Sequence, residues 1–273
     1  GSYCFVLLTP EKLIAVRDPF GFRPLSLGVS DGAYVVASET CAFDIIGAEY
    51  IRSVEPGEIL VIDSQGISSH KLAPAPRLSQ CIFEHIYFSR PDSLVFGETV
   101  DKIRRRLGKL LARESGADAD IVISVPDSGN TAALGYSQAS GIRYEIGLIR
   151  NHYVGRTFIA PHQDKRKLDV RVKLNPVSGV IDGKRVVLVD DSIVRGTTMR
   201  QIVNLLRSRG AREVHVRISS PPICFPCYYG IDISTKRELI ACSQNVPEIA
   251  EFMHADSLAY LSVGAMLQTA ATK

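Results

Sequence analysis

Two adjacent carboxylates, Asp190 and Asp191, follow an apolar run, Val186–Val189, and precede a short turn. The turn, Ser192-Ile193-Val194-Arg195-Gly196, leads into Thr197 and Thr198. Side by side at a strand end, the acids can accept hydrogen bonds from two neighbouring hydroxyls of a ribose. The turn amides, the threonine hydroxyls and the amino end of the following helix can hold a phosphate dianion. Ligands of open α/β sheets bind outside the carboxyl ends of the strands, which is where this turn falls. Acids after a strand also cap helices, so the reading depends on the whole string and not on the pair alone.

A second turn carries complementary chemistry. In Val125-Pro-Asp-Ser-Gly-Asn130, small residues let backbone amides approach an anion closely. Asp127, Ser128, Gly129 and Asn130 are candidates for a pyrophosphate site, with side-chain oxygen for a hard cation such as Mg²⁺. A third segment, Arg150 to Asn175, is long and polar, with Arg156, Arg166, Arg171 and Lys173. A long loop in a compact domain reads as a lid. Its cations suit a reaction that expels pyrophosphate, where negative charge grows on the leaving group. Arg156, Arg171 and Lys173 are therefore candidates for stabilising that group. Together these segments suggest Mg²⁺-assisted displacement at an anomeric carbon, with no covalent nucleophile required. A fourth segment, Cys81 to Ser93, reads from its residues alone as an apolar strand with one thiol.

The surrounding pattern supplies the frame. Residues 1–72 read as antiparallel β, with strands near 3–8, 13–18, 25–29, 33–37, 50–54 and 58–62 and a short helix over 38–46. Lys71-Leu-Ala-Pro-Ala-Pro76 marks a connection, so the expected domains are 1–76 and 77–273. The second region alternates helices (99–113, 131–139, 197–209, 247–253) with strands (120–125, around 186, 213–218, 257–262). That alternation predicts a mainly parallel sheet. The fold class expected is α/β and α+β.

With 273 residues, 45% hydrophobic, the chain can bury a core without staples. A net charge of +3 and basic runs only at 103–106 and 165–167 read as solvated surface, not a nucleic-acid footprint. No stretch is apolar enough to span a membrane. Six scattered cysteines, Cys224-Phe-Pro-Cys227 among them, suggest a reducing, cytoplasmic compartment. The opening Gly1-Ser-Tyr-Cys-Phe-Val-Leu-Leu8 reads as the inside of a strand with no Met before it, so a fragment is expected.

Taken together, Arg17-Asp-Pro-Phe-Gly-Phe-Arg-Pro-Leu25, Ser38-Glu-Thr-Cys-Ala42, Val54-Glu-Pro-Gly-Glu58, Cys81–Ser93, Asn151-His-Tyr-Val-Gly-Arg-Thr-Phe-Ile159 and Leu188–Thr198 resemble the amidophosphoribosyltransferase family. The Asp190–Thr198 string is similar to the phosphoribosyl pyrophosphate (PRPP) loop of type I phosphoribosyltransferases. The resemblance covers essentially the whole chain. It implies a truncated amino-terminal-nucleophile (Ntn) glutaminase domain followed by a type I phosphoribosyltransferase domain. It also implies the first committed step of purine synthesis, in which PRPP, glutamine and water give 5-phosphoribosylamine, glutamate and pyrophosphate. Further implications are one Mg²⁺ per subunit on Ser128, Asp190 and Asp191, feedback by purine nucleotides, and a homotetramer.

Two departures from the family pattern carry expectations. The family's glutaminase nucleophile is an amino-terminal cysteine. Cys4 lies inside an expected strand and is not that group, so this chain is expected to use ammonia at most. One subgroup holds a [4Fe–4S] cluster on four cysteines. Cys81 and Cys227 match two ligand positions, and the resemblance places the other pair in a carboxyl-terminal segment of the full-length protein. The rival readings are a non-catalytic PRPP-binding regulator on the same fold and a base-salvaging phosphoribosyltransferase, which leaves residues 1–72 unexplained.

Overall fold

The computed structural model describes residues 1–72, 77–151, 174–233 and 235–270. They form two compact units, Gly1–Lys102 with Tyr228–Ile231, and Ile103–Cys227 with Asp232–Lys273.

The first unit contains β1 (Cys4–Leu8), β2 (Leu13–Arg17), β3 (Ser26–Ser30), β4 (Ala33–Ala37), α1 (Cys41–Ile46), β5 (Glu49–Ser53), β6 (Glu58–Asp63), β7 (Gly66–Lys71), β8 (Leu94–Val95) and β9 (Glu98–Thr99). Antiparallel pairing builds one sheet in the order β1-β2-β6-β7 and another in the order β4-β3-β5. Alternate residues of β6 point inward, so Leu60 and Ile62 join Ala15, Leu25, Leu27 and Val54 in the core. The third inward residue of β6 is a carboxylate, Glu58. It stays buried because Arg52 grips both its oxygens, at 2.7 and 2.8 Å, and the Glu55 amide donates at 2.6 Å.

Residues 81–89 depart from the expected strand. They make a π-helical turn, Glu84–Phe88. Glu84, His85 and Ile86 are buried in succession, so three neighbouring side chains of this turn face the protein interior. The buried Glu84 is satisfied by Arg23 at 2.7 Å and the Ser89 hydroxyl at 2.6 Å. Packing also assigns residues 77–102 to this unit, whereas the sequence pattern grouped them with the α/β region. The Ser79 amide bonds the Phe20 carbonyl at 2.9 Å, Cys81 bonds Phe22 at 3.0 Å, and the Leu94 amide bonds Thr40 Oγ1 at 2.8 Å.

The division falls inside α2 (Val100–Glu114). Then come β10 (Ile121–Ser124), α3 (Asn130–Ser140), β11 (Leu148–Arg150), β12 (Leu174–Pro176), α4 (Ser178–Ile181), β13 (Arg185–Asp190), α5 (Thr197–Arg207), β14 (Glu213–Ile218), α6 (Val246–Met253), β15 (Ser257–Tyr260) and α7 (Val263–Ala270). The sheet runs β10-β13-β14-β15 and every pairing is parallel. Val186–Val189 are fully buried, as helices on both faces of a parallel sheet require. The helix α5 that joins β13 to β14 turns Met199, Ile202, Val203 and Leu206 into the same core.

Two features hold this frame. Helices α2 and α3 meet backbone to backbone. A Cβ on Gly108 would lie 1.9 Å from the Ala132 carbonyl oxygen, and one on Gly135 would lie 2.1 Å from that of Arg105. The second feature is Arg217, buried on β14. It donates to the Ser115 and Gly116 carbonyls beyond α2 at 2.9 and 3.1 Å, to the Val216 carbonyl at 2.9 Å and to Ser257 Oγ at 3.0 Å. The Tyr136 hydroxyl shares the Ser115 carbonyl at 2.9 Å. Arg104, read from sequence as part of a solvated cationic face on α2, is 3% exposed, because it lies on the inward side of that helix.

Alanine normally strengthens a helix relative to glycine by about 1 kcal/mol. At Gly135 the order is reversed. Gly135→Ala is expected to destabilise the second unit by about 1–3 kcal/mol through overpacking. Urea denaturation followed by a probe in that unit measures the shift.

Candidate active site

Strand β13 ends on Asp190, and β10 ends beside it, with Ser124 in register with Val189. The ladder continues one step further, the Val125 amide donating to the Val189 carbonyl at 2.9 Å. The chain then turns through Pro126–Gly129 into α3, with a cis peptide between Pro126 and Asp127. Gly129 admits no side chain, since a Cβ there would sit 2.5 Å from the Val189 carbonyl oxygen. That contact seats the Ser128–Gly129 turn against the end of β13. Ser128 Oγ consequently reaches Asp190 Oδ1 at 3.4 Å, and the two expected ligand turns converge.

The acids are held differently. Asp191 is 5% exposed and accepts from the Ser192 hydroxyl. Asp190 is partly exposed, and its Oδ1 also accepts from the Asp191 amide at 2.9 Å. Burial of its carboxyl, and next the neighbouring Asp191 charge, raise the Asp190 pKa well above the ordinary carboxylate range. A carboxylate held under that strain of like charge is a place where a cation is stabilised.

Behind the acids the turn is braced from outside. Ile193 is buried, the Ile240 amide donates to the Val194 carbonyl at 2.9 Å, and Arg195 pairs with Glu238 at 2.7 Å. Gly196 takes φ +72°, and a Cβ there would meet Ile240 Cδ1 at 3.0 Å and Phe252 Cε1 at 3.3 Å. From it α5 starts with no side-chain cap, leaving its first amides available to an anion beside the exposed Thr197 and Thr198. The braces Glu238, Ile240 and Phe252 escaped sequence reading, because a long-range contact leaves no local spacing signal.

Two of the expected residues have side-chain partners within the protein. Asn130 accepts the Ser124 hydroxyl at 2.6 Å and so ties α3 to the end of β10. Asp127 is exposed and pairs with Arg150 at 2.5 Å. Arg156, Arg166, Arg171 and Lys173 lie outside the described residues.

Metal fit divides by group. Ser128 and Asp190 present hard oxygens to one point, and an acid pair with substrate phosphates is the donor set that Mg²⁺ takes. Cys81 and Cys227 are partly buried and form no disulfide, one in each compact unit. Among the described residues no group of three or more His, Cys, Asp or Glu is arranged to hold a metal, so they do not make up a four-thiolate cluster site. Nor, among them, is any helix long and apolar enough to cross a membrane.

Comparison with known proteins agrees with this geometry. The phosphoribosyl transferase domain family matches residues 99–219, the stretch that contains both ligand turns. Amidophosphoribosyltransferase of Bacillus subtilis (strain 168) is 56% identical over 268 residues, 98% of this chain and 56% of that protein. The chloroplastic amidophosphoribosyltransferase 1 of Arabidopsis thaliana is 58% identical over 96% of this chain and 46% of its own length. The solved structure of the Bacillus subtilis glutamine PRPP amidotransferase, complexed with ADP and GMP, superposes with a TM-score of 0.92 at 56% identity. It is covered to 60%, and this chain to 100%. The chain thus spans about half the length of the curated relatives it matches.

The second unit is a phosphoribosyltransferase domain. With the relatives' likeness running across both units, the chain belongs to the amidophosphoribosyltransferase family.

The raised Asp190 pKa has a sign that can be measured. An acid whose pKa is higher folded than unfolded stabilises the fold at low pH, and that stability is lost as pH rises through the folded value. Metal-free protein is therefore expected to lose stability as pH rises above about 4, the ordinary carboxylate range. Asp190→Asn should remove this dependence and melt higher than the parent at pH 8 in calorimetry.

Proposed function

We propose that this chain carries the phosphoribosyl-transfer site of an amidophosphoribosyltransferase and makes 5-phosphoribosylamine from PRPP and ammonia, releasing pyrophosphate. The observation that carries the reading is the meeting of Ser128 with Asp190, which joins a pyrophosphate turn to a ribose-phosphate turn at one strand end.

In this reading Asp190 and Asp191 accept the two ribose hydroxyls, and the α5 amides with Thr197 and Thr198 hold the 5-phosphate. The amides after Gly129 and the Ser128 hydroxyl hold the pyrophosphate. So fixed, the C1 carbon is open to ammonia from the face opposite the leaving group. Nitrogen bonds to C1 as the C1–O bond to pyrophosphate breaks, and the nitrogen then sheds a proton. The ribose passes through an oxocarbenium-like state, stabilised by position and charge and not by a covalent enzyme bond. Mg²⁺ held by Ser128, Asp190 and Asp191, directly or through water, would neutralise charge on the departing pyrophosphate. Arg156, Arg171 and Lys173 are proposed to close over the same group.

For the first unit we propose part of an Ntn glutaminase domain, the ammonia source in the whole protein. Its two antiparallel sheets and the relatives' identity across it support this. Feedback by purine nucleotides is proposed because the Bacillus subtilis relative was solved with ADP and GMP. A cytoplasmic homotetramer, and a [4Fe–4S] cluster that uses Cys81 and Cys227 in the whole protein, remain part of the proposal.

The test is pyrophosphate release from PRPP with ammonium and Mg²⁺. The parent chain should release it with ammonia and not with free purine or pyrimidine bases. Asp190→Asn and Asp191→Asn should each lower the rate by about 100-fold or more. Turnover that survives both substitutions together would refute the assignment.

A further inference from the structure

Two thiols with no place in the proposed reaction sit next to the ribose-phosphate turn. Cys242 Sγ lies 2.8 Å from the Cys224 carbonyl oxygen. Cys224 Sγ lies 3.8 Å from the Ala241 carbonyl oxygen, so each thiol rests on the backbone at or beside the other cysteine. The segments are clasped further by Lys236, whose Nζ sits 5.2 Å from the centre of the Phe225 ring. Both cysteines are free, and Cys242 is exposed, within reach of a small oxidant.

The same short segment is the brace of the ligand turn. Two residues before Cys242, Ile240 bonds the Val194 carbonyl at 2.9 Å and fills the space at Gly196, while Glu238 pairs with Arg195. A buried hydroxyl without a hydrogen-bond partner, that of Tyr260, also lies near. Its pKa is pushed up to about 12, first by burial and then by the charge on Cys224.

We propose that Cys224 and Cys242 are a redox modification site, closing to a disulfide that displaces the Ile240 brace and weakens the turn's hold on its phosphate ligand. This rests on reading that turn as a PRPP site. The oxidant is a small disulfide such as oxidised glutathione. The Cys242 thiolate attacks one of its sulfurs, the glutathione S–S bond breaks, and one glutathione thiolate leaves. The Cys224 thiolate then attacks the mixed disulfide at the Cys242 sulfur and releases the second. The two protein thiols lose two protons and two electrons, and oxidised glutathione becomes two thiols. Bonded sulfurs sit about 2.05 Å apart. Bringing them together draws Cys242, and with it the Ile240–Cys242 turn, toward Cys224.

The full chain, reduced or treated with oxidised glutathione, is digested and mapped by mass spectrometry. Affinity for PRPP with Mg²⁺ is measured by calorimetry, and amide exchange is followed over residues 193–198. A Cys224–Cys242 crosslink, faster exchange in that turn and at least five-fold weaker PRPP binding are expected, all reversed by dithiothreitol. Cys242→Ser should bind PRPP like the reduced parent and show no response. A Cys224–Cys227 crosslink, stable mixed disulfides alone, or a correct crosslink with unchanged exchange would overturn the proposal. If reduced protein fails to bind PRPP, the functional reading falls, while the crosslink and the exchange still decide the redox site.

Discussion

The arrangement of the second unit turns on a repulsion that the fold does not relieve. Asp190 and Asp191 are consecutive, at the end of a strand whose preceding four residues are wholly buried. Neither has a lysine or arginine partner among the described ion pairs. Their side chains are held by a hydroxyl apiece, and Asp190 also by an amide; such groups fix direction without cancelling charge. In the proposed reading a cation and the hydroxyl donors of a sugar compensate this pair. The rest of the unit supplies the rigidity needed to keep the two acids side by side.

That rigidity comes from close backbone approach. Gly129 lets the Pro126–Gly129 turn touch the end of β13 and so brings Ser128 to Asp190. Gly196 lets the Ser192–Gly196 turn enter α5 at a backbone angle that larger residues rarely adopt. The helices α2 and α3 cross through Gly108 and Gly135. In each case the glycine matters for what stands opposite it, a carbonyl or a neighbouring side chain, more than for local flexibility.

The legibility of these features in sequence depends on the range of each signal. The β13–α5 unit was read closely because its cues are local: an apolar run, paired acids, then Gly-Thr-Thr. The strand at 213–218 agreed to the residue, and most other elements agreed within one to three. The edge strand β7 was missed, since Gly66–Lys71 is polar and exposed and offers no alternation. The turn at 84–88 was misread as a strand because its apolar composition hid a carboxylate that is buried only through Arg23, distant in sequence. Ser128 lies beside Asp190, so two turns that the sequence expects to act together meet. Asn130, expected at the ligand turn, also fastens α3 to β10 through the Ser124 hydroxyl, a contact that its position in the sequence does not announce. The bracing residues Glu238, Ile240 and Phe252 could not be read, because their role depends on α6 and the preceding loop folding back onto a turn more than forty residues earlier.

Arg217 takes on a different weight once the acid pair is considered beside it. Its charge is spent on carbonyls, the Ser257 hydroxyl and the Tyr136 phenol, groups that stay neutral in moderate acid. Acidification can therefore discharge Asp190 at the mouth of the sheet while the seam joining α2 to β14 goes on unaltered. Moderate acid should change the charge at the end of β13 before it dismantles the domain, and returning to neutrality should restore that charge on a scaffold that never left.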